Sequence, residues 1–113
     1  MNKDALRTGQ LDLLLLAVLA RGPAHGYALM EELRRRSQAA FDFPEGTVYP
    51  ALYRLERGGL LRSHAKEVAG RRRRVYQLTA SGRAALAERG KAWKRLVADV
   101  ERVLKGAPKH APA

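Results

Sequence analysis

From Leu13 to Ala20 the chain runs through eight apolar residues without a break, Leu-Leu-Leu-Leu-Ala-Val-Leu-Ala. A helix over this stretch has almost no polar face and must be enclosed on several sides. It is far short of the roughly 20 residues that cross a bilayer. A chain of 113 residues has room for one compact domain, so that domain has to be built around this segment. With 46% hydrophobic residues the chain can form a core, which argues against simple disorder.

The spacing predicts a first helix over Leu11 to about Ala20, with Thr8 placed to cap its N–H groups and Gly22-Pro23 stopping it. Lys3 and Arg7 ahead of the run faintly resemble the start of an export signal. Asp12 interrupts that pattern, and Arg21-Gly22-Pro23 reads as a helix end, so a cytoplasmic protein with no membrane association is expected. The absence of cysteine excludes disulfides, thiol catalysis and Cys-ligated zinc.

A second helix is expected over Gly26 to Ser37, opened by His25, with Leu29, Met30 and Leu33 facing inward. Glu31 with Arg35 and Glu32 with Arg36 are spaced i,i+4 with the acid first, the favourable order. Arg34-Arg35-Arg36 in the last turn suits the helix dipole better than it argues for a phosphate site. Phe41-Asp42-Phe43-Pro44 is an extended link, because proline disfavours helical geometry in the residue before it. The third helix covers Glu45 to Arg57, with Val48, Leu52 and Leu55 toward the core and Thr47, Tyr49, Pro50, Tyr53 and Arg54 largely on the other side. Pro50 is tolerable if regular helix begins near Thr47, which puts it in the first turn.

Gly58-Gly59 ends that helix. Leu60–Val68 and Arg73–Leu78 are expected to pair as a hairpin, with Ala69–Arg72 as the turn. Thr79 is a good cap for a long last helix reaching about Lys105. Leu86, Trp93, Leu96, Val100 and Val103 fall at heptad positions on it, and Val97 and Leu104 widen the stripe. Residues 106–113 are expected to be a disordered tail. The fold class is therefore mainly α with a small β-hairpin (α+β). Three helices and a basic hairpin form a winged helix-turn-helix over residues 1–79, followed by a dimerisation helix over 80–105.

The chain carries 22 Lys+Arg against 11 Asp+Glu, a formal net charge of +11. An excess that large favours a polyanionic partner and says nothing of fold. Its placement is informative. Residues 41–62, which hold the third helix, have three charges of each sign and are neutral. Residues 63–77 carry +4 and residues 78–113 carry +5. The neutral helix is suited to orientation and base reading, and the basic hairpin to general affinity for phosphates.

Several stretches together carry a resemblance. They are Leu14–Ala20 followed by Gly22-Pro23-Ala24-His25-Gly26-Tyr27, then Gly46-Thr47-Val48-Tyr49-Pro50-Ala51-Leu52, Leu55-Glu56 and Gly59-Leu60. Arg73-Arg74-Val75-Tyr76-Gln77-Leu78-Thr79 and Gly82-Arg83 complete the set. In this order and spacing they resemble the PadR family of bacterial transcriptional regulators over about residues 11–83. The resemblance implies a winged helix-turn-helix that binds double-stranded DNA. With one helix after the wing, the chain looks like the small subfamily, which implies a homodimer formed through that helix. The family's wing tip is commonly rich in glycine and proline, whereas here Gly70 is followed by Arg71-Arg72-Arg73-Arg74.

In a helix-turn-helix the second helix of the motif enters the major groove. The candidate DNA contacts are accordingly Thr47, Tyr49, Pro50, Tyr53 and Arg54 on the third helix, with Arg71, Arg72, Arg73 and Arg74 on the wing. Arg54 suits guanine or a phosphate, and Tyr49 and Tyr53 suit DNA or packing between helices. Leu86, Trp93, Leu96, Val97, Val100, Val103 and Leu104 are the candidate dimer interface. Trp93 has two readings: dimer-core packing or, as the resemblance implies, the wall of a cavity for a flat hydrophobic effector. His25, His64 and His110 stand apart from other ligand residues, so no metal site or other cofactor is expected. The sequence shows no catalytic Ser/His/Asp set, clustered carboxylates or phosphate-cradling glycine loop, which makes an enzyme the poorest reading. A dimeric repressor released by a small molecule or other signal leads. A basic RNA- or nucleoid-binding protein without sequence preference is the alternative.

Overall fold

A computed structural model of the chain describes residues 8–106. The expected tail beyond Gly106, like Lys3 and Arg7, lies outside the described residues. The elements in chain order are α1 (Thr8–Leu19), β1 (Ala24–His25), α2 (Gly26–Arg36), α3 (Glu45–Arg57), β2 (Leu61–Val68), β3 (Arg71–Leu78) and α4 (Ala80–Lys105). The α+β class is as read from the sequence, with a winged helix-turn-helix and one long helix after it.

Helix α1 packs against α2, α3, α4 and β3. Leu15 and Leu16 are fully buried, and Leu11, Val18 and Leu19 nearly so. Around them gather Leu29 and Leu33 of α2, Phe43 of the link, Val48, Leu52 and Leu55 of α3, and Tyr76 and Leu78 of β3. The inward stripes of α2 and α3 are thus those the periodicity predicts. Thr8 is not the residue before α1, since the helix already begins there. Thr8, Gly9 and Gln10 extend it because first-turn N–H groups need no partner within the helix.

Helix α2 ends at Arg36, with Ser37 as its C-cap; the Ser37 N–H donates to Leu33 O. At the other end His25 Nδ1 accepts from the Ala28 N–H at 3.3 Å, so His25 does open this helix. The ion pairs differ in part from the spacing rule. Glu32 holds both Arg35 and Arg36, at 2.6 and 3.0 Å, while Glu31 holds Arg34 at 2.7 Å and not Arg35. Positions three and four apart are both neighbours on a helix, and Arg35 takes the nearer partner.

Helix α3 starts at Glu45, two residues before the point that would place Pro50 in its first turn. Pro44 is extended (φ −76°, ψ 164°) and acts as N-cap, its carbonyl accepting from the Thr47 and Val48 N–H groups. Pro50 therefore sits in the second turn, where the Gly46 carbonyl loses its helical donor. Gly46 and Pro50 are both exposed, so water can serve the freed carbonyl.

The sheet has three antiparallel strands in the order β1-β3-β2. Strand β1 is two residues long, too short to carry a periodic signal, and pairs Ala24 with Tyr76 and His25 with Val75. The hairpin turn is Ala69-Gly70 alone, because β3 begins at Arg71, opposite Val68. Both turn residues have positive φ, 51° and 79°, as a two-residue hairpin requires to match strand twist. Arg71 and Arg72, expected in the turn, are thus paired strand residues like Arg73 and Arg74. Strand β2 begins at Leu61, one residue later than expected, since the Leu60 N–H closes α3 by donating to Leu55 O and only the Leu60 carbonyl reaches across, accepting from the Thr79 N–H.

That last contact opens the junction that aims α4. Thr79 Oγ1 accepts from the Gly82 N–H at 3.0 Å and donates to Gly59 O at 2.6 Å. A Cβ at Gly82 would lie 2.1 Å from the Leu60 carbonyl oxygen, whereas one at Gly90 would meet nothing within 4 Å. The start of α4 is thereby pinned to the turn leaving α3. The 26 residues of α4 span about 39 Å, and the radius of gyration of 17.3 Å exceeds the roughly 13 Å of a compact domain this size. Helix α4 extends beyond the body.

Gly82→Ala should cost about 1–3 kcal/mol because the backbone on both sides must move. Gly90→Ala should gain about 0.5–1 kcal/mol from helix propensity. Chemical denaturation of the two variants checks both signs.

Candidate nucleic-acid interface

Val48, Ala51, Leu52 and Leu55 turn one side of α3 into the core. Opposite them, Gly46, Pro50, Tyr53 and Arg57 lie within about one third of the helix circumference, and all four are exposed. Tyr53 is 62% exposed. The Arg57 guanidinium stands 5.8 Å from its ring centroid, and Nη1 donates to the Tyr53 hydroxyl at 3.2 Å. Arg57 is absent from the sequence-derived candidates. Its only signal was its place four residues after Tyr53, and in a last turn a cation reads simply as a complement to the dipole.

The remaining candidates on α3 separate. Thr47 is half-buried at the edge of the exposed stripe. Tyr49 is also half-buried and lies on Gly26, where a Cβ would meet its hydroxyl at 2.1 Å. Burial, followed by the nearby Tyr27 and Glu45, raises its phenol above the ordinary range. Arg54 reaches back to α1 and donates from Nη2 to Asp12 Oδ1 at 2.6 Å. Asp12 is only 8% exposed, so Arg54 supplies a buried carboxylate with the partner it needs.

Along β3 the side chains alternate between the two faces. Arg73 places its guanidinium 5.2 Å from the ring centroid of Tyr27, and the Tyr27 hydroxyl donates to Glu45 Oε2 at 3.0 Å. That hydrogen bond is the main reason the Tyr27 phenol is held above its usual range. Tyr27 is nearly half exposed, so it bridges the first turn of α3 to the strand from outside. Arg74 donates to Ser63 Oγ at 3.0 Å, and Ser63 Oγ donates to Glu56 Oε2 at 2.8 Å. Arg71 and Arg72 make no ion pair among the described residues. Arg72, Arg73 and Arg74 also border a shallow pocket with His25, Gly26 and Tyr49. Burial, then Arg73, lowers the His25 imidazole below its ordinary value, which suits the neutral acceptor that caps α2.

On α4, Leu86 is packed against the core of its own chain and Val97 is half-buried. Trp93, Leu96, Val100, Val103 and Leu104 are exposed. Trp93 and Leu96 form one wall of an open groove of about 560 Å³, with Asp12 and Leu13 of α1 on the other. No helix of the described chain is long and apolar enough to cross a membrane.

The likeness to known proteins agrees with this layout. The family model of the transcriptional regulator PadR-like family matches residues 15–88. The transcriptional regulator Rv3488 of Mycobacterium tuberculosis is 44% identical over 81 residues, 72% of this chain and 73% of that protein. The crystal structure of a PadR family transcriptional regulator from Eggerthella lenta superposes with a TM-score of 0.77 at 33% identity, covering 88% of this chain and 85% of that one. A transcriptional regulator from Clostridium thermocellum gives 0.78 at 26% identity, covering 94% and 100%. With its wing, its α3 and its single helix after the wing accounted for, the chain belongs to the PadR-like family of transcriptional regulators, proteins that act by binding DNA.

Proposed function

We propose that this chain is a homodimeric repressor whose paired α3 helices and wings hold a pseudo-palindromic operator and let go when a signal reaches the α4 side. The observation that carries the reading is the Tyr27 bridge, which sets the arginines of β3 beside the first turn of α3. In this reading residues 1–79 make the DNA contact and residues 80–105 the dimer contact. Gly46, Thr47, Pro50 and Tyr53 face the major groove, and Arg57 joins them. Tyr49 supports the helix from behind, with its hydroxyl edge toward the wing. Arg54 orients α3 through Asp12 and has its remaining donors for a phosphate or base.

Affinity comes from Arg71, Arg72, Arg73 and Arg74. Arg71 and Arg72 are free to neutralise phosphates, and Arg73 and Arg74 have only neutral oxygen or ring partners to give up. The dimer seam is the apolar face of α4 from Trp93 through Leu96, Val97, Val100 and Val103 to Leu104, with Leu86 at its inner end. Burying such a patch between copies offsets the small core of a domain this size. The groove beside Trp93 falls within the usual size of ligand sites, about 300–1,000 Å³, and a flat hydrophobic molecule fits its lining.

Selection of bound duplexes from a random pool at physiological salt tests the function. The expected product has two half-sites related by a dyad and separated by whole helical turns. Equal affinity for unrelated duplexes would instead establish the basic, non-selective reading.

Replacing Arg71, Arg72, Arg73 and Arg74 by alanine should weaken binding to every duplex. It should also flatten the slope of log K against log salt by about 2–4 for each of the dimer's two wings, at roughly 0.9 per phosphate contact. An unchanged slope refutes the wing assignment. Val100→Glu, or Val97→Glu, should give monomers by light scattering and abolish operator binding, because a charge in the seam would be buried unpaired. A variant that stays dimeric refutes this interface.

A further inference from the structure

Asp12 belongs to two sites at once. It is the one buried charged residue among the described residues. On α1 it lines the groove opposite Trp93, and Arg89 of α4 is the one cation on the groove's walls among the described residues. Its Oδ1 is held at 2.6 Å by Arg54, whose side chain is 47% exposed on α3. The two partners are not equivalent. Arg54 can turn to water or to a DNA phosphate, whereas the buried carboxylate has only Arg54 within ion-pairing distance among the described residues. A carboxylate taken out of water cannot give up its partner cheaply. A change on either side of this pair is therefore felt on the other.

We propose that the Asp12–Arg54 ion pair couples the α1–α4 groove to the DNA-reading helix, with Asp12 as the positioning residue. The proposal rests on the reading that α3 enters DNA and that the groove receives the signal. Occupation of the groove against Asp12 alters the hold on Arg54 and so the setting of α3. Coupling between sites is reciprocal, so an operator that draws on Arg54 must alter the surroundings of Asp12 and of the Trp93 facing it. A groove occupant shifts operator affinity only to the extent that it binds the DNA-free and DNA-bound arrangements differently.

Trp93 is the only tryptophan in the chain, so its emission, read at concentrations where the chain is dimeric throughout, reports on the groove and the seam beside it. The experiment titrates the full-length protein with the selected operator and, at low salt, with an unrelated duplex of equal length. Saturation with operator should shift Trp93 emission clearly, and the unrelated duplex should shift it less, because it is held through phosphates. In Asp12→Asn, which keeps the shape and removes the charge, the operator should still bind but the shift should be lost. A merely structural pair would lower the melting temperature of that variant and leave the shift intact. Where Asp12→Asn does not fold, Asp12→Ser carries the same test. Bound operator with unchanged Trp93 emission in the unmodified protein overturns the coupling, as does an undiminished shift in a folded Asp12 variant. Failure to select any operator is a different result, which removes the functional reading and the coupling with it.

Discussion

Helix α1 has little surface to give to water, and the rest of the molecule is arranged around that fact. Its leucines are covered by α2, α3, β3 and the first half of α4. Burying apolar surface stabilises at roughly 25 cal/mol per Å², and no other segment of the chain offers as much of it continuously. Among the described residues the one charged side chain admitted to this environment is Asp12, and it is admitted with a cation from α3. The helix that holds the core together is thus in direct contact with α3, which we propose faces DNA, and with α4, which carries exposed apolar side chains.

The excess of positive charge is divided among structures with different tasks. The three arginines closing α2 are held by Glu31 and Glu32 and belong to the stability of that helix. On β3 the arginines are graded. Arg73 and Arg74 are oriented by Tyr27 and by Ser63, while Arg71 and Arg72 near the hairpin tip have no ion-pair partner among the described residues. A strand holds such charges in better order than a turn does, because the hydrogen-bonded ladder opposite Ala65 to Val68 fixes where each side chain leaves the backbone. Two glycines set how closely parts approach. Gly26 admits Tyr49, and Gly82 admits the Leu60 carbonyl, so the starts of α2 and α4 can press against α3 and the turn after it.

Much of this was legible in the chain itself. The apolar run, the stops at Gly22-Pro23 and Gly58-Gly59, the inward stripes of α2 and α3 and the Thr79 cap are local signals, and local signals survive folding. The neutral charge of α3 beside a basic hairpin is equally local, and the proposed division between reading and affinity rests on it. Less legible were features that depend on register or on distant partners. Strand β1 exists only because β3 has an open edge beside it. The extent of β3 follows from a two-residue turn, and runs of arginine give no strand signal of their own. That α3 is regular from Glu45 and not from Thr47 depended on the backbone of Pro44, and Arg57 became visible only once the exposed side of that helix was known.

Composition, periodicity and motif order by themselves determined the fold class and the family, and marked the segments we propose face DNA or a second copy. These follow from side-chain chemistry and short-range backbone preference, which act over a few residues. Tertiary structure alone decided which candidate side chains are at liberty. It turned Tyr49 inward onto Gly26, tied Arg54 to an aspartate 42 positions earlier and joined Tyr27 to both Glu45 and Arg73. The reason is that a charge or a phenol takes the partner nearest in space, and distance along the chain says nothing about that.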